Sequence, residues 1–296
     1  MTPPRQIFPD QNFEICTRTL SRTFRLLPTS VISNLFLYIL GVAAQRYGIT
    51  LYGLVLMVTH YHLGGKDRWG VLPEFVQYVN SLFARALNAH QGLDDKVWSG
   101  DGYHLLRPCS ENDLLCRMVY ILANPAAADL VNRAEDFPGL IIRPDDIGRT
   151  LTAYRPDFFF SSEGVMPEKV EVRFEVPDEF AHLGRDAYVK LLKEQLRCRE
   201  CEHRDERKAA GRVVMGADRC RKVAAGRRSA SFERWFKMRP TIAAKVKRER
   251  IAAIQELQSF LDSYAAALAA WRDGDRDAIF PPGTWWMCRF AGAAVG

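Results

Sequence analysis

The sequence contains no apolar run that is long enough to span a membrane. The longest run covers residues 31–44, is interrupted by Ser33 and Asn34, and falls short of the roughly 20 residues that a membrane-spanning helix needs. The N-terminus also lacks the charged-then-apolar order of a secretory signal. We therefore expect a protein that does not partner with a membrane.

A disulfide framework is missing as well. The seven cysteines are an odd number, and they are scattered over a chain of 296 residues. This usage favours a reducing, intracellular setting, so we expect a cytoplasmic protein. A zinc site at Cys198, Cys201, His203 and Cys220 is a minor alternative, because only one Cys-x-x-Cys pair is present and it falls within a predicted helix.

The composition is that of an ordinary globular protein. Apolar residues make up 48% of the chain and charged residues 26%, which excludes a disordered or fibrous protein. The length corresponds to one large domain or two ordinary ones.

The charge is distributed unevenly along the chain. Residues 1–140 contain 12 basic and 12 acidic residues, whereas residues 185–250 contain 21 basic and 9 acidic residues, a net charge of +12. A stretch of this kind favours a phosphate-bearing partner, because basic side chains release counterions from nucleic acid. The alternative is a solvated helix surface crossed by salt bridges.

The first 140 residues alternate between strand and helix patterns. Strands are predicted at 13–20 and 97–106. In the run 49–58, Gly53 is predicted to be a turn or a bulge that makes two short strands. Helices are predicted at 30–46, from Pro73 onward, and from Ser110 onward. The order β-α-β-β-α-β-α predicts an α+β fold with a ferredoxin-like antiparallel sheet covered by helices.

Proline-rich punctuation near residue 140 predicts a domain boundary there, with domains at 1–140 and 141–296. The second region is predicted to be mainly helical and basic. It contains a strand at 169–176 and long helices over about 178–211 and 241–271. In the last helix, apolar residues follow a 3,4,3,4,3 spacing that predicts a packing face: Ile254, Leu257, Leu261, Tyr264, Leu268 and Trp271.

Two histidines follow the strand that ends near Met57. His60 and His62 are separated by one residue, so on an extended strand their side chains project from the same face. Two imidazoles on one face can converge on a divalent ion. The alternative is two partly exposed histidines beside a loop.

The helix that begins at Ser110 presents a second cluster. Tyr120 and Asn124 are spaced i, i+4 and share a face, which Arg117 borders. Such a helix offers a phenol nucleophile, an amide oxygen for a metal, and a guanidinium that can hold a phosphate. Pro125 is expected to end or kink the helix at Asn124.

The motifs Met57-Val-Thr-His-Tyr-His-Leu and Tyr120-Ile-Leu-Ala-Asn124-Pro-Ala, about sixty residues apart, resemble those of the single-tyrosine HUH transposases. In particular, they are similar to those of the REP-associated tyrosine transposases, over approximately residues 12–140. That family combines a His-hydrophobic-His strand with a Tyr-x-x-x-Asn-Pro helix.

The resemblance implies a role for each matched residue. His60, His62 and Asn124 would be metal ligands, and Tyr120 would be the nucleophile that attacks a DNA phosphodiester and stays joined to the 5′ end. Mg²⁺ or Mn²⁺ is expected, because an amide oxygen and substrate oxygens complete the ligand set. Arg117 is expected to assist catalysis for a different reason, namely its position three residues before Tyr120, where it can hold a phosphate.

The resemblance therefore implies a metal-dependent transposase that nicks and rejoins single-stranded DNA at hairpins of palindromic repeats. We expect a monomer or homodimer whose basic region contacts DNA, through the side chains of Arg227, Arg228, Lys245, Lys247 and Arg248. The alternative is a catalytically inactive, basic nucleic-acid-binding protein on the same scaffold. A ferredoxin-like sheet that only stacks RNA bases is a weaker alternative, because its aromatic strand signature is missing.

Overall fold

Residues 4–229 and 240–296, which a computed structural model of the chain describes, form a mixed α+β fold. The strands are β1 (Gln11–Thr19), β2 (Ile49–Met57), β3 (His60–Asp67), β4 (Trp98–Pro108), β5 (Thr150–Tyr154), β6 (Lys169–Arg173) and β7 (Ile242–Ala243). The α-helices are α1 (Ser30–Tyr47), α2 (Leu72–Gln91), α3 (Glu111–Ala127), α4 (Gly184–Ala209), α5 (Ala217–Arg221), α6 (Lys247–Arg272) and α7 (Trp286–Ala291). The predicted fold class is confirmed.

Five strands form one sheet in the order β2-β3-β1-β4-β7. The pairs β2–β3, β3–β1 and β1–β4 are antiparallel, while β7 pairs in parallel with the end of β4. Helix α1 connects β1 to β2, and α2 connects β3 to β4. The first four strands therefore have the predicted ferredoxin-like order, and β7 extends it.

Helices cover both faces of this sheet. One face carries Ile15 and Tyr61, which belong to the core beneath α1 and α2. The opposite face carries Val55, which packs in a second core with α3 and α4. Because successive side chains of a strand point to opposite faces, the residues next to Ile15 and Tyr61 lie on the α3 side of the sheet.

The hairpin of β2 and β3 turns at residues 58–59 and not at Gly53. Of the predicted turn or bulge at Gly53, the structure has the bulge, and the two separate short strands predicted within 49–58 are wrong because β2 is continuous. Gly53 forms a bulge, where the pairing with β3 shifts between Leu51 and Gly53 before it resumes. His60 is consequently the first residue of β3.

Helix α4 begins at Gly184, later than the predicted residue 178. The preceding segment, Asp178–Leu183, is a 3-10 helix. It is tied to the far end of β3, because Asp178 accepts hydrogen bonds from Arg68 Nη1 (2.6 Å) and Lys66 Nζ (3.0 Å). These ion pairs hold the pKa of Asp178 at about 2, mainly through the hydrogen bond from Arg68.

Helix α6 begins at Lys247 and not at the predicted residue 241, since the preceding residues form β7 against β4. Only the C-terminal part of the apolar stripe on α6 packs against other residues. Tyr264, Leu268 and Trp271 contact a small core around Phe280, whereas Ile254 is exposed. The prediction that the whole stripe is a packing face was therefore wrong for its N-terminal end.

Segments on both sides of residue 140 contribute to the same cores. Val170 and Val172 of β6 belong to the core with α1, and Leu192 of α4 belongs to the core with α3. The boundary at residue 140 stays a prediction. Within the described ranges, no helix has both the length and the apolar character that crossing a membrane requires.

Two glycines in β3 allow close packing on both sides of the strand. A Cβ atom on Gly64 would lie 2.3 Å from the terminal methyl of Met118, so the glycine lets α3 approach the sheet. A Cβ atom on Gly65 would lie 2.4 Å from the carbonyl oxygen of Thr50 and 2.9 Å from the ring of Phe13. The first contact is with a flexible side chain, whereas the second is with backbone.

We expect Gly65→Ala to destabilise the fold by about 2 kcal/mol, because the backbone of β2 must move to accept the new methyl group. Gly64→Ala should cost less, since the Met118 side chain can change its rotamer. Chemical denaturation of both variants measures the difference. Equal stability of Gly65→Ala and the parent protein would contradict this packing account.

Candidate active site

His60 and His62 lie on the face of the sheet that packs against α3. They are the first and third residues of β3, next to the turn that joins β2 to β3. Their ring centroids are 5.1 Å apart, and the rings are nearly perpendicular. His62 is buried and His60 is half-buried. The strand periodicity therefore brings the two imidazoles together, as the sequence predicts.

The environment of His60 favours its neutral form. Burial lowers its pKa well below the usual range, and the positive charges of His62, Arg18 and Arg22 act in the same direction. Its Nδ1 atom lies 3.0 Å from Thr59 Oγ1. A neutral imidazole of this kind can donate a lone pair to a metal.

The environment of His62 favours the opposite state. Burial by itself would lower its pKa, but Cys16, which faces it across the β1–β3 pair, and Glu14 outweigh this effect and raise the pKa to about 9. The Glu14 Oε1 atom lies 2.9 Å from His62 Nδ1. The two histidines therefore differ in charge near neutral pH.

Helix α3 places Tyr120 and Arg117 against this pair. The Tyr120 ring centroid is 5.4 Å from that of His62, in an edge-to-face arrangement, and the ring is 38% exposed. The Arg117 guanidinium carbon lies 4.0 Å from the centre of the Tyr120 ring. Burial raises the pKa of Tyr120, and the nearby Glu14 carboxylate adds to this, so the phenol keeps its proton at neutral pH.

Glu14 is a central residue of the site that the sequence patterns did not single out. It lies on β1 with 4% of its surface exposed, and its two oxygens contact His62 Nδ1 and Arg117 Nε. The hydrogen bonds from these groups hold the pKa of Glu14 low, although burial opposes them. The sequence did contain a sign of it, because Glu14 is an acidic residue between the apolar Phe13 and Ile15 of a predicted strand.

Asn124 is buried one turn beyond Tyr120 on α3. Its Nδ2 atom donates a hydrogen bond to Tyr120 O (2.8 Å), which leaves the amide oxygen as the atom that could approach a metal. Of the two expected effects of Pro125, ending the helix at Asn124 is wrong, because α3 continues to Ala127, and a kink there stays a prediction. The Asn124 amide also reaches Ile121 O (3.5 Å), the carbonyl that loses its usual partner at Pro125.

The two histidines fit one metal ion in donor type, because imidazole nitrogen is a common ligand of divalent metal ions. Their ring centroids, 5.1 Å apart, bring both donors to one site. In residues 4–229 and 240–296, no three His, Cys, Asp or Glu side chains come together in a way that could hold a metal. A site on His60 and His62 therefore needs an oxygen ligand of another kind, and within these ranges the cysteines form no zinc cluster.

Arg227 and Arg228 belong to a segment that contacts the chain just after β1. The backbone of Arg227 accepts a hydrogen bond from Phe24 N (2.7 Å), and Arg228 forms an antiparallel bridge with Thr23. These contacts attach the segment to the turn that follows β1, where Arg22 contributes to the low pKa of His60. The structure thus joins part of the basic stretch to the rim of the site.

Lys245 borders the site from the other side. Its backbone nitrogen donates to Asp113 Oδ1 (2.8 Å), and the nearby Cys116 thiol raises the pKa of Lys245. Cys116 lies one turn before Tyr120 on the same face of α3. Lys247 and Arg248 lie further away, on the exposed first turn of α6.

No family model matches the chain, and none of the curated proteins matches it. Solved structures do show similarity. The structure of a REP-associated tyrosine transposase bound to a REP hairpin has a TM-score of 0.41 and 15% sequence identity, and the match covers 54% of this chain and 94% of that one.

A second similar structure is that of a protein from Deinococcus radiodurans R1 that carries a provisional assignment as a transposase. It has a TM-score of 0.30 and 21% identity, over 41% of this chain and 95% of that one. At these levels of similarity, the chemistry of this chain has to be inferred from its own side chains.

Proposed function

We propose that this protein is a transposase that cuts and rejoins single-stranded DNA, with hairpins of palindromic repeats as its substrates. The observation that carries the proposal is the meeting of Tyr120 with His62 and Arg117 on one face of the sheet. A half-exposed phenol between an imidazole and a guanidinium is suited to attack a phosphodiester that lies against the open side of the site.

In the proposed reaction, the Tyr120 hydroxyl oxygen forms a bond with phosphorus while the bond to the 3′ oxygen breaks. The products are a 5′-phosphotyrosine and a free 3′ hydroxyl, so the phenol proton must leave during attack and the departing oxygen must gain one. A phenol, with a pKa of about 10, leaves more readily than an alcohol, so a 3′ hydroxyl can reverse the step and rejoin the strand.

Arg117 would hold the phosphate beside the nucleophile. Its Nε atom is engaged by Glu14, so its two Nη groups are the donors that can reach a phosphate oxygen. A guanidinium that is already in place stabilises the charge that develops on the phosphate oxygens. We therefore assign Arg117 to charge stabilisation.

We also propose that His60, His62 and Asn124 hold Mg²⁺ or Mn²⁺. When bound, such an ion polarises the phosphodiester and stabilises charge on the departing oxygen. His60 is ready to act as a ligand in its neutral form, whereas His62 must first release the proton from Nε2. A mixed nitrogen and oxygen donor set suits these ions better than a soft metal.

The basic residues on the two borders of the site would guide the DNA strand across it. Arg227 and Arg228 are attached to the turn after β1, and Lys245 lies near Cys116, one turn before Tyr120 on α3. Lys247 and Arg248 extend the positive surface along the exposed start of α6. Phosphates of a bound strand can therefore contact basic groups on both sides of the reacting bond.

Removal of either histidine should abolish metal binding. We expect isothermal titration of the parent protein with Mn²⁺ to give a binding signal that is lost in His60→Ala and in His62→Ala. His90→Ala is the control, because His90 lies on α2, on the opposite side of the sheet. Equal Mn²⁺ binding by the parent and both site variants would remove the histidines from the mechanism.

Tyr120→Phe should retain hairpin binding and lose all covalent product. The change removes one oxygen and keeps the ring against His62, so packing is preserved. Denaturing electrophoresis of protein with labelled hairpins and Mn²⁺ detects the adduct, and Tyr154→Phe, an exposed tyrosine on β5, is the matched control. An adduct in Tyr120→Phe would refute the assigned nucleophile. A parent protein that binds hairpins and never cuts would indicate the inactive nucleic-acid-binding alternative.

Loss of the two arginines attached to the turn after β1 should weaken binding in a salt-dependent way. For Arg227→Ala/Arg228→Ala, the slope of log affinity against log salt should fall by roughly 1.5 in magnitude, because about two phosphate contacts are lost. Lys169→Ala/Arg173→Ala, with both side chains exposed on β6, is the control. An unchanged slope in the arginine variant would mean that this segment is only a solvated surface.

A further inference from the structure

The buried carboxylate of Glu14 has no role in the reaction proposed above. Both of its oxygens are paired, Oε1 with His62 Nδ1 and Oε2 with Arg117 Nε. Burial of a charge is unfavourable, and an ion pair of this kind is often less stabilising than apolar residues of the same volume. Stability of the fold alone therefore gives a weak reason for a carboxylate in the middle of β1.

One oxygen of Glu14 determines the state of His62. An ionised carboxylate can only accept hydrogen bonds, so Nδ1 of His62 must carry a proton in this contact. Nε2 is then the one nitrogen of His62 that can act as a ligand. The bond also fixes the rotation of the ring, as carboxylates commonly do for metal-binding histidines.

The other oxygen determines the position of Arg117. The bond to Nε holds the guanidinium in the place where its carbon lies 4.0 Å from the Tyr120 ring centre. Without this contact, the side chain would be free to adopt other rotamers along the partly exposed edge of α3. The same carboxylate thus reaches a histidine on β3 and an arginine on α3.

We infer that Glu14 is a positioning residue that couples the metal-binding half of the site to the half that contains the nucleophile. This inference rests on the proposed function. Because both of its oxygens are engaged, Glu14 would act through its partners: it holds His62 and Arg117 in the arrangement that lets both act on one phosphodiester. The alignment of the metal-binding half of the site with the half that contains Tyr120 then depends on the side chain of Glu14.

Isothermal titration with Mn²⁺ tests the effect of Glu14 on His62 as a metal ligand, and it does not depend on DNA cleavage. Glu14→Gln keeps the volume and loses the charge, and we expect it to bind Mn²⁺ about 10- to 100-fold more weakly than the parent protein. The control is Glu200→Gln, another buried carboxylate, which lies on α4 and accepts a hydrogen bond from Ala134 N. Its Mn²⁺ affinity should be unchanged.

The effect of Glu14 on the position of Arg117 is tested at a Mn²⁺ concentration that saturates Glu14→Gln. Adduct formation should still be about tenfold slower than in the parent protein, because Arg117 is no longer held over Tyr120. Arg117→Ala should slow the parent reaction and have much less effect in the Glu14→Gln background. A role of Glu14 in metal affinity alone would instead give full recovery of the rate at saturating metal.

The outcomes separate this inference from the function on which it rests. If the parent protein binds Mn²⁺ and forms the adduct, and Glu14→Gln does both equally well, the positioning role is wrong and the transposase proposal stands. If the parent protein neither binds Mn²⁺ nor forms an adduct, both fail. Should Glu14→Gln not fold, Glu14→Asp keeps the charge and is too short to reach both partners, so the same losses are expected.

Discussion

The antiparallel pairing of β1 with β3 determines which side chains can meet beneath α3. In this register Cys16 lies opposite His62, so Glu14, two residues away on β1, shares a face with both histidines. A shift of one residue in either strand would move the groups of that strand to the opposite face, under α1 and α2, and would separate them from the others. The register is held by apolar side chains such as Ile15 and Tyr61, which occupy the large core on that other side. Burial of the core thus specifies the arrangement of the polar site.

The distance between α3 and the sheet is the second constraint. Gly64 lets Met118 pack directly on β3, and this contact sets how closely Tyr120 and Arg117 approach the histidines. Glu14 then joins strand and helix through two charged hydrogen bonds. Each of these charged groups would be costly to bury alone, and each is stabilised by the others. The site is therefore one connected network and not a set of independent residues.

The sequence predicted those parts of the site that depend on local spacing. The i, i+2 spacing of His60 and His62 and the i, i+4 spacing of Tyr120 and Asn124 each specify a shared face, and both pairs have the predicted geometry within their own element. Glu14 was missed because its role depends on pairing between strands that are distant in the chain. The sequence left a turn or a bulge open at Gly53, because glycine occurs in both, and only the pairing with β3 shows that it is a bulge within one strand. The start of α6 was misplaced because the pairing of Ile242 with β4 is a tertiary contact.

The central claim is that Tyr120 forms a covalent bond with DNA. The most direct measurement is peptide mass spectrometry of the parent protein after incubation with a single-stranded hairpin and Mn²⁺, followed by nuclease and protease digestion. The account predicts a nucleotide remnant attached through its 5′ phosphate to the peptide that contains Tyr120. A remnant on any other residue, or a cut strand without an attached peptide, would contradict it.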